Sequence, residues 1–253
     1  MDFGLLDKVA LVTGTASQTG IGKAVAITLA KEGCDVVSCD IDLSGAQQTA
    51  DEVKSLGRRA LAFKTDVAKK AEVGDMVKAA LKEFGKIDIL VNTAGLASGG
   101  GPFLEQPEEY WEKDIGVNLY GTMNCIKAVV PGMIERKSGK IINFSSISGR
   151  IGLPISYAAA KGAVINITRG FAKEYGPYGI NVNGIAPGMV STAFHGGGKG
   201  LSPEMAERFS NGVPLKRVQT VEDIANAVAF LASDVSKNIT GQTLQVDSGF
   251  YMP

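Results

Sequence analysis

Little in this sequence points to a metal, a disulfide framework or a charged partner. The 253 residues hold one histidine, His195, and three cysteines, Cys34, Cys39 and Cys125. The cysteines form no C-x-x-C pair and leave an odd count, which argues against both a disulfide framework and a zinc site. Net charge is lacking as well. The 26 basic residues balance 26 acidic ones, so there is no electrostatic footprint for nucleic acid or an anionic membrane surface. No apolar run reaches the ~18 residues of a membrane span. Met1-Asp-Phe-Gly-Leu-Leu-Asp-Lys8 has no basic stretch followed by an apolar core, as an export signal would. The expectation is a soluble protein of the reducing cytoplasm that binds no metal and has small molecules as partners, with no nucleic acid and no membrane.

What the chain does have in quantity is glycine, 32 residues, much of it where strands would give way to loops. Short apolar runs alternate with amphipathic ones from end to end, the pattern of βα units and of a parallel sheet covered on both faces. The periodicity predicts strands near 8–13, 34–39, 59–64, 88–92, 140–145, 180–186 and 241–246. It predicts helices near 20–32, 44–56, 69–84, 107–136, 155–176 and 221–232, with a short one around 202–211. No linker or repeat interrupts the series. The expected fold class is α/β: a single domain over 1–253, a Rossmann-like doubly wound parallel sheet of seven strands with helices on both faces.

The first unit runs from the strand ending at Thr13 into Gly14, then Gly20-Ile21-Gly22 at the start of a helix. Small residues permit the tight turn, and a helix N-terminus with free amides can hold a pyrophosphate. The spacing departs from G-x-G-x-x-G. About 26 residues after Gly14 the second strand ends in Asp40, placed to accept hydrogen bonds from a ribose diol and to repel a 2′-phosphate, which favours NAD over NADP. Asp at a strand end also serves as a helix cap, a role for which Asp42 and Ser44 compete. Further strands end beside Thr65-Asp66-Val67 and Asn92-Thr93-Ala94-Gly95. In a parallel sheet these positions converge on one crevice.

Tyr157 and Lys161 lie four apart in a helical stretch and share a face. An ammonium beside a phenol favours the phenolate. Moving a tyrosine from pKa ~10 to about 7 requires roughly 4 kcal/mol of differential stabilisation. The Ser-rich turn ahead of that helix, with Ser145, Ser146 and Ser148, can return a hydroxyl to the same pocket. Alone, such a pair is common on solvated helix faces. Asn118 sits within the predicted helix 107–136, where asparagine is a poor helix former; a side-chain bridge to neighbouring backbone would explain it.

Taken together, these residues resemble the short-chain dehydrogenase/reductase family from Lys8 to Val246-Asp-Ser-Gly249. The resemblance rests on Thr13-Gly14…Gly20-Ile21-Gly22, Asn92-Thr93-Ala94-Gly95, Asn118, Ser146, Tyr157-x-x-x-Lys161 and Pro187-Gly188, in that order. It implies Tyr157 as general acid/base, with Lys161 lowering its pKa and holding the nicotinamide ribose. Ser146 would orient the substrate oxygen, and Asn118 would help hold a relay water. It also implies Asp66 and Val67 beside the adenine, and Val190 and Thr192 on the nicotinamide carboxamide. Three departures stand out. Five residues, Thr15–Thr19, separate the first two glycines where the family usually has three. Ser146 stands eleven residues before Tyr157 rather than twelve or thirteen, so Ser145 and Ser148 compete for its role. Thr93 and Ser248 replace a frequent asparagine and a frequent glycine. Enoyl reductases of the same superfamily also lengthen the glycine loop, but they space tyrosine and lysine farther apart.

The resulting expectation is an NAD-dependent oxidoreductase interconverting a secondary alcohol and a ketone. An NADPH-dependent 3-oxoacyl-thioester reductase is the rival enzyme, and a non-catalytic nucleotide-binding partner subunit the rival of another class. Residues 96–103, 147–156 and 189–212 should wall the substrate pocket, with Arg150 and His195 as its polar candidates. A lid is expected near 193–212, where a glycine-rich loop precedes an amphipathic helix begun by Ser202 and Pro203 and striped by Leu201, Met205 and Phe209. A homo-oligomer, dimer or tetramer, is expected from apolar residues in excess of one sheet face: Ile126, Val129, Val130, Ile134, Val164, Ile165 and Phe171.

Overall fold

A computed structural model describes residues 2–192, 194 and 200–252. All seven expected strands form one parallel sheet in the order β3-β2-β1-β4-β5-β6-β7. They are β1 (Val9–Thr13), β2 (Asp35–Asp40), β3 (Ala60–Lys64), β4 (Ile89–Asn92), β5 (Gly139–Phe144), β6 (Ile180–Pro187) and β7 (Thr243–Val246). The order reverses between β1 and β4, and the crevice where ligands bind in such sheets opens there.

The strands are apolar on both faces because both are covered. Ala10 and Val12 of β1 join Val36, Val91, Ile142 and Ile185 in a core packed by α1 (Ile21–Lys31) and α9 (Val221–Ala232). Val9 and Leu11 join Val37, Leu90, Ile141 and Val182 under α3 (Lys70–Phe84) and α5 (Thr122–Arg136). α2 (Leu43–Ser55) starts at Asp42, whose side chain accepts the Ser44 N–H. A reciprocal Thr220–Asp223 capping box begins α9. The three cysteines are buried and unpaired; burial pushes the Cys34 and Cys39 thiols up to about 12. No described helix is long and apolar enough to cross a membrane.

The helix expected over 107–136 is three segments. α4 (Glu108–Ile115) passes into a π-helical turn, Gly116–Gly121, before α5 begins. Asn118 explains the break: its Nδ2 donates to the Asp114 carbonyl at 2.8 Å, the acceptor its own backbone N–H would use in an α-helix. Thr122 Oγ1 takes the Asn118 carbonyl in the same way at 2.9 Å. A short helix α6 (Ser148–Ile151), absent from the expectation, precedes α7 (Ile155–Tyr175). α8 (Pro203–Gly212) starts as expected, Ser202 accepting the Met205 N–H.

The motive offered for an oligomer does not survive. Ile126, Val129, Val130, Val164 and Ile165 are all buried within the single chain. Ile134 and Phe171 pack against the same core. Two helices under one sheet face leave these residues no need of a second subunit.

Candidate active site

One cavity of about 850 Å³ follows the carboxyl ends of the central strands from Asp40 to Phe250. At its first end β1 turns at Gly14, whose φ of +74° and approach to Ala94 exclude a side chain: an added Cβ would lie 2.8 Å from the Ala94 Cα. A side chain at Gly22 would run into the Gly14 carbonyl. Gly20 stands at the N-cap of α1, so the free amides of that helix face the cavity that Gly20, Ile21 and Gly22 line.

The lengthened glycine loop is fastened to the ends of β2 and α2. Thr15 Oγ1 bonds Ser38 Oγ at 2.7 Å, and Thr49 Oγ1 donates to the Thr15 carbonyl at 2.8 Å. The Ala16 N–H donates to Asp40 Oδ2 at 2.9 Å, while Asp42 N–H donates to Oδ1 at 3.1 Å. Gln18 Nε2 ties the loop to the Gly45 carbonyl. The two additional residues therefore pack on α2 and leave the cradle between Gly14 and Gly20 open. Asp40, half-buried, lines that cradle. The geometry fits a dinucleotide: an anion-binding helix end, glycines that let a backbone approach, and a carboxylate at the adenosine end.

At the other end Ser146, Tyr157 and Lys161 line the cavity together. Ser146 Oγ accepts the Ser148 N–H at 3.1 Å and its hydroxyl bonds that of Tyr157. Ser145 is excluded as an alternative, since its hydroxyl donates to the Lys161 carbonyl at 2.8 Å. Ser148 also lines the cavity, but its amide serves Ser146. Lys161 Nζ donates to the Phe144 carbonyl at 2.7 Å and sits 5.7 Å from the centre of the Tyr157 ring. Gly95 is held against Asn118 and Lys161: an added Cβ would lie 2.7 Å from Asn118 Oδ1 and 3.2 Å from Lys161 Nζ.

The electrostatics run opposite to the expectation that Lys161 pulls the tyrosine down. Burial pushes Lys161 itself down to about 7. Burial likewise lifts Tyr157 to about 12, the Ser146 hydrogen bond lowering it and the Asp114 charge raising it further. In the protein alone, desolvation outweighs any help the lysine gives the phenolate.

Asn118 is fully buried, its amide bridging the Leu96 carbonyl and the Asp114 carbonyl at 2.7 and 2.8 Å. Ala94, Gly95, Pro187, Gly188, Val190 and Thr192 line the cavity between its two ends. Three expected cofactor residues lie outside its lining. Asp66 caps the approach to α3 through the Ala68 N–H, Val67 packs beneath Gly121, and Asn92 points to Asn143 within the sheet. Arg150 is not on the wall either. His195, and with it most of the loop of the expected lid, lies outside the described residues.

A family model described as enoyl-(acyl carrier protein) reductase matches residues 14–251. The chain belongs to the short-chain dehydrogenase/reductase family. It is 40% identical over 253 residues to the 3-oxoacyl-[acyl-carrier-protein] reductase FabG of Staphylococcus epidermidis, covering 98% of this chain and all of that one. Carveol dehydrogenase from Mycobacterium avium, solved with NAD, superposes with a TM-score of 0.88 at 33% identity over 97% of this chain and 98% of that one. A 7α-hydroxysteroid dehydrogenase complexed with NADH and 7-oxo glycochenodeoxycholic acid superposes at 0.91, also 33% identical, over 98% and 96%. As a short-chain dehydrogenase/reductase the protein is an oxidoreductase that uses a nicotinamide cofactor.

Sequence reasoning missed several parts of this short-chain dehydrogenase/reductase site. Phe250 reaches the cavity from the C-terminal end, stacked on Phe209 with centroids 5.7 Å apart. Asp114 and Ser156 form a buried pair, Ser156 being next to Tyr157 in sequence. Neither had a motif; the aspartate within an otherwise amphipathic helix was the one available signal.

Proposed function

We propose that the protein is an NAD-dependent dehydrogenase that interconverts a secondary alcohol and a ketone. The observation that carries this is a single cavity joining Ser146, Tyr157 and Lys161 to a glycine cradle that ends at Asp40. When bound in the cradle, the cofactor supplies a hydride acceptor at nicotinamide C4. The glycines and the α1 amides would hold its pyrophosphate, Asp40 its adenosine ribose, Lys161 its second ribose, and Val190 and Thr192 its carboxamide.

Tyr157 takes the hydroxyl proton of the alcohol as the same carbon gives up its hydride, and returns that proton in the reverse direction. The Ser146 hydroxyl, its rotamer fixed by the Ser148 amide, holds the substrate oxygen. The tyrosine must ionise against its burial, so a cation beside it is needed. Protonated Lys161 serves as that cation, and polar groups placed around its ammonium would restore its charge. Asn118 sets the π-turn that lets Leu96 and the loop after β4 approach. No metal enters this scheme: serine and lysine supply the electrostatic stabilisation.

Ile147, Ile151, Met189, Phe194, Phe209 and Phe250 line the substrate side, which suits an apolar alcohol. The two solved relatives are named for alcohols, carveol and a hydroxysteroid, which supports the same reading. An NADPH-dependent 3-oxoacyl-thioester reductase is the second reading, favoured by the 40% identity to FabG. Against it, Asp40 is followed by Ile41 and not by an arginine to meet a 2′-phosphate. A non-catalytic role sits poorly with an intact Asn118, Ser146, Tyr157 and Lys161. Comparing kcat/KM for NAD and NADP, with a panel of secondary alcohols and with a 3-hydroxyacyl-CoA, tests the proposal. Preference for NADP and the thioester would replace it.

We also read the protein as a cytoplasmic homo-oligomer, a dimer or a tetramer. Exposed Tyr120, in the π-helical turn, and exposed Met123, in the first turn of α5, support a contact there. Sedimentation at micromolar concentration, returning monomer alone, would remove this reading. For the expected lid, α8 already sets Phe209 on the cavity wall, and hydrogen exchange with and without NAD measures whether it closes further.

A further inference from the structure

Asp114 is fully buried at the last turn of α4, and no salt bridge among the described residues reaches it. Oδ1 accepts the Ser98 N–H at 2.8 Å, and Oδ2 accepts the Ser156 hydroxyl at 2.5 Å. Its carbonyl accepts the Asn118 amide at 2.8 Å. Ser156 immediately precedes Tyr157 on α7. Ser98 follows Ala97, which lines the same cavity as Tyr157. A carboxylate buried without a cation is costly, and packing α4 on α7 would need only an apolar side chain there. The cost is offset by two strong, charge-assisted hydrogen bonds that join these two segments.

We propose that Asp114 is an anionic positioning residue, whose two carboxylate oxygens clamp the N-terminal turn of α7, and with it Tyr157, to the loop after β4 that lines the same cavity. This rests on Tyr157 being the proton-transferring group. Asp114 touches neither substrate nor cofactor; it acts through Ser156 and Ser98. Its charge also bears on Tyr157 from behind. Near that phenol the charged groups of these elements are Lys161 on α7, Arg150 on α6 and Asp114 on α4; Glu108, Glu109, Glu112 and Lys113 of α4 are exposed, and Arg169, Lys173 and Glu174 lie farther along α7. The charge of Asp114 moves the phenol upward, by less than burial does. The clamp therefore trades some acidity of Tyr157 for its placement, adding to a shift that burial dominates.

The test is the pH dependence of kcat for secondary-alcohol oxidation at saturating NAD in wild type, Asp114→Asn and Ser156→Ala. Asp114→Asn keeps the shape and removes the charge. Its ascending limb should move to lower pH by about half a unit to one unit, the direction expected for loss of a like charge near a phenolate. Its plateau should fall about ten-fold with KM within about two-fold, the signature of a misplaced catalytic group. Ser156→Ala keeps the charge and cuts one arm of the clamp, so kcat should fall comparably with no downward shift. An Asp114→Asn profile superimposable on wild type overturns the proposal, and so does an undiminished kcat in Ser156→Ala. A reading independent of turnover comes from the resonance of Cζ-labelled Tyr157, assigned with Tyr157→Phe, in the ligand-free protein: it should titrate lower in Asp114→Asn. If Tyr157→Phe stays active, the reading of the reaction fails, while this titration still decides whether Asp114 acts on the phenol.

Discussion

Lys161 Nζ stands 5.7 Å from the centre of the Tyr157 ring, yet donates its hydrogen bond to the Phe144 carbonyl at 2.7 Å. The pair is adjacent without being joined. Sequence spacing alone would have had the ammonium serve the phenol directly; the end of β5 competes for it.

If Tyr157 transfers the proton, Tyr157→Phe should reduce turnover by at least about 10²-fold, the lower range of general acid/base contributions. NAD binding, followed by nucleotide fluorescence, should change little, because the ring and its volume remain. Turnover above roughly one hundredth of wild type would refute the assignment.

Burial of Lys161 has a consequence for stability. The unfolded chain keeps this proton up to ~10.4, whereas the folded protein releases it at about 7. Between those values the unfolded state binds more protons, so stability rises with pH and is lost again as pH falls toward 7. Tyr157, held up at about 12, acts the other way above ~10, where the unfolded phenol ionises first. The ligand-free protein should therefore gain on the order of 10 °C in Tm between pH 7 and 9.5, taking ~1.36 kcal/mol per unit and about 2–4 °C per kcal/mol. Lys161→Met should flatten that rise. A thermal scan series showing the same slope in both proteins would locate its origin elsewhere.

Asp40 holds two backbone amides and faces the cavity. Asp40→Ala should raise KM for NAD about ten-fold or more, in line with the ~1.5–3 kcal/mol of a charged hydrogen bond. NADP should lose less, narrowing the preference. Initial rates with each cofactor measure it, and a wild type that already favours NADP contradicts this role.

Gly95→Ala would place a methyl group 2.7 Å from Asn118 Oδ1 and 3.2 Å from Lys161 Nζ. Overpacking of this kind costs about 1–3 kcal/mol. A drop of several degrees in Tm with a larger loss of kcat is expected. Full activity would mean that the loop after β4 can yield, and that its tight seat is not needed for chemistry.

Phe209 and Phe250 stack on one another in the cavity wall, from α8 and from the tail after β7. Phe250→Ala should raise KM for bulky apolar alcohols and leave that for a small one, such as 2-propanol, nearly unchanged. Equal effects on both would show that the tail supports the fold and not the substrate.

The architecture was legible because it depends on local pattern. Runs such as Val9-Ala-Leu-Val12 are apolar at every position, which suits a strand covered on both faces, and glycines mark where those strands hand over to helices. The order Gly14, Asp40, Gly95, Ser146, Tyr157, Lys161 was legible for the same reason. What the pattern could not convey was competition for partners. The break at Asn118 arises because a side-chain amide takes the carbonyl its backbone would have used, a choice fixed by contact with Leu96. The five-residue glycine loop keeps its cradle because Ser38, Asp40 and Thr49 hold the additional residues aside. The signs of the Tyr157 and Lys161 shifts follow from burial, a property of the packed molecule, in which residues remote in sequence remove the water that would solvate each charge.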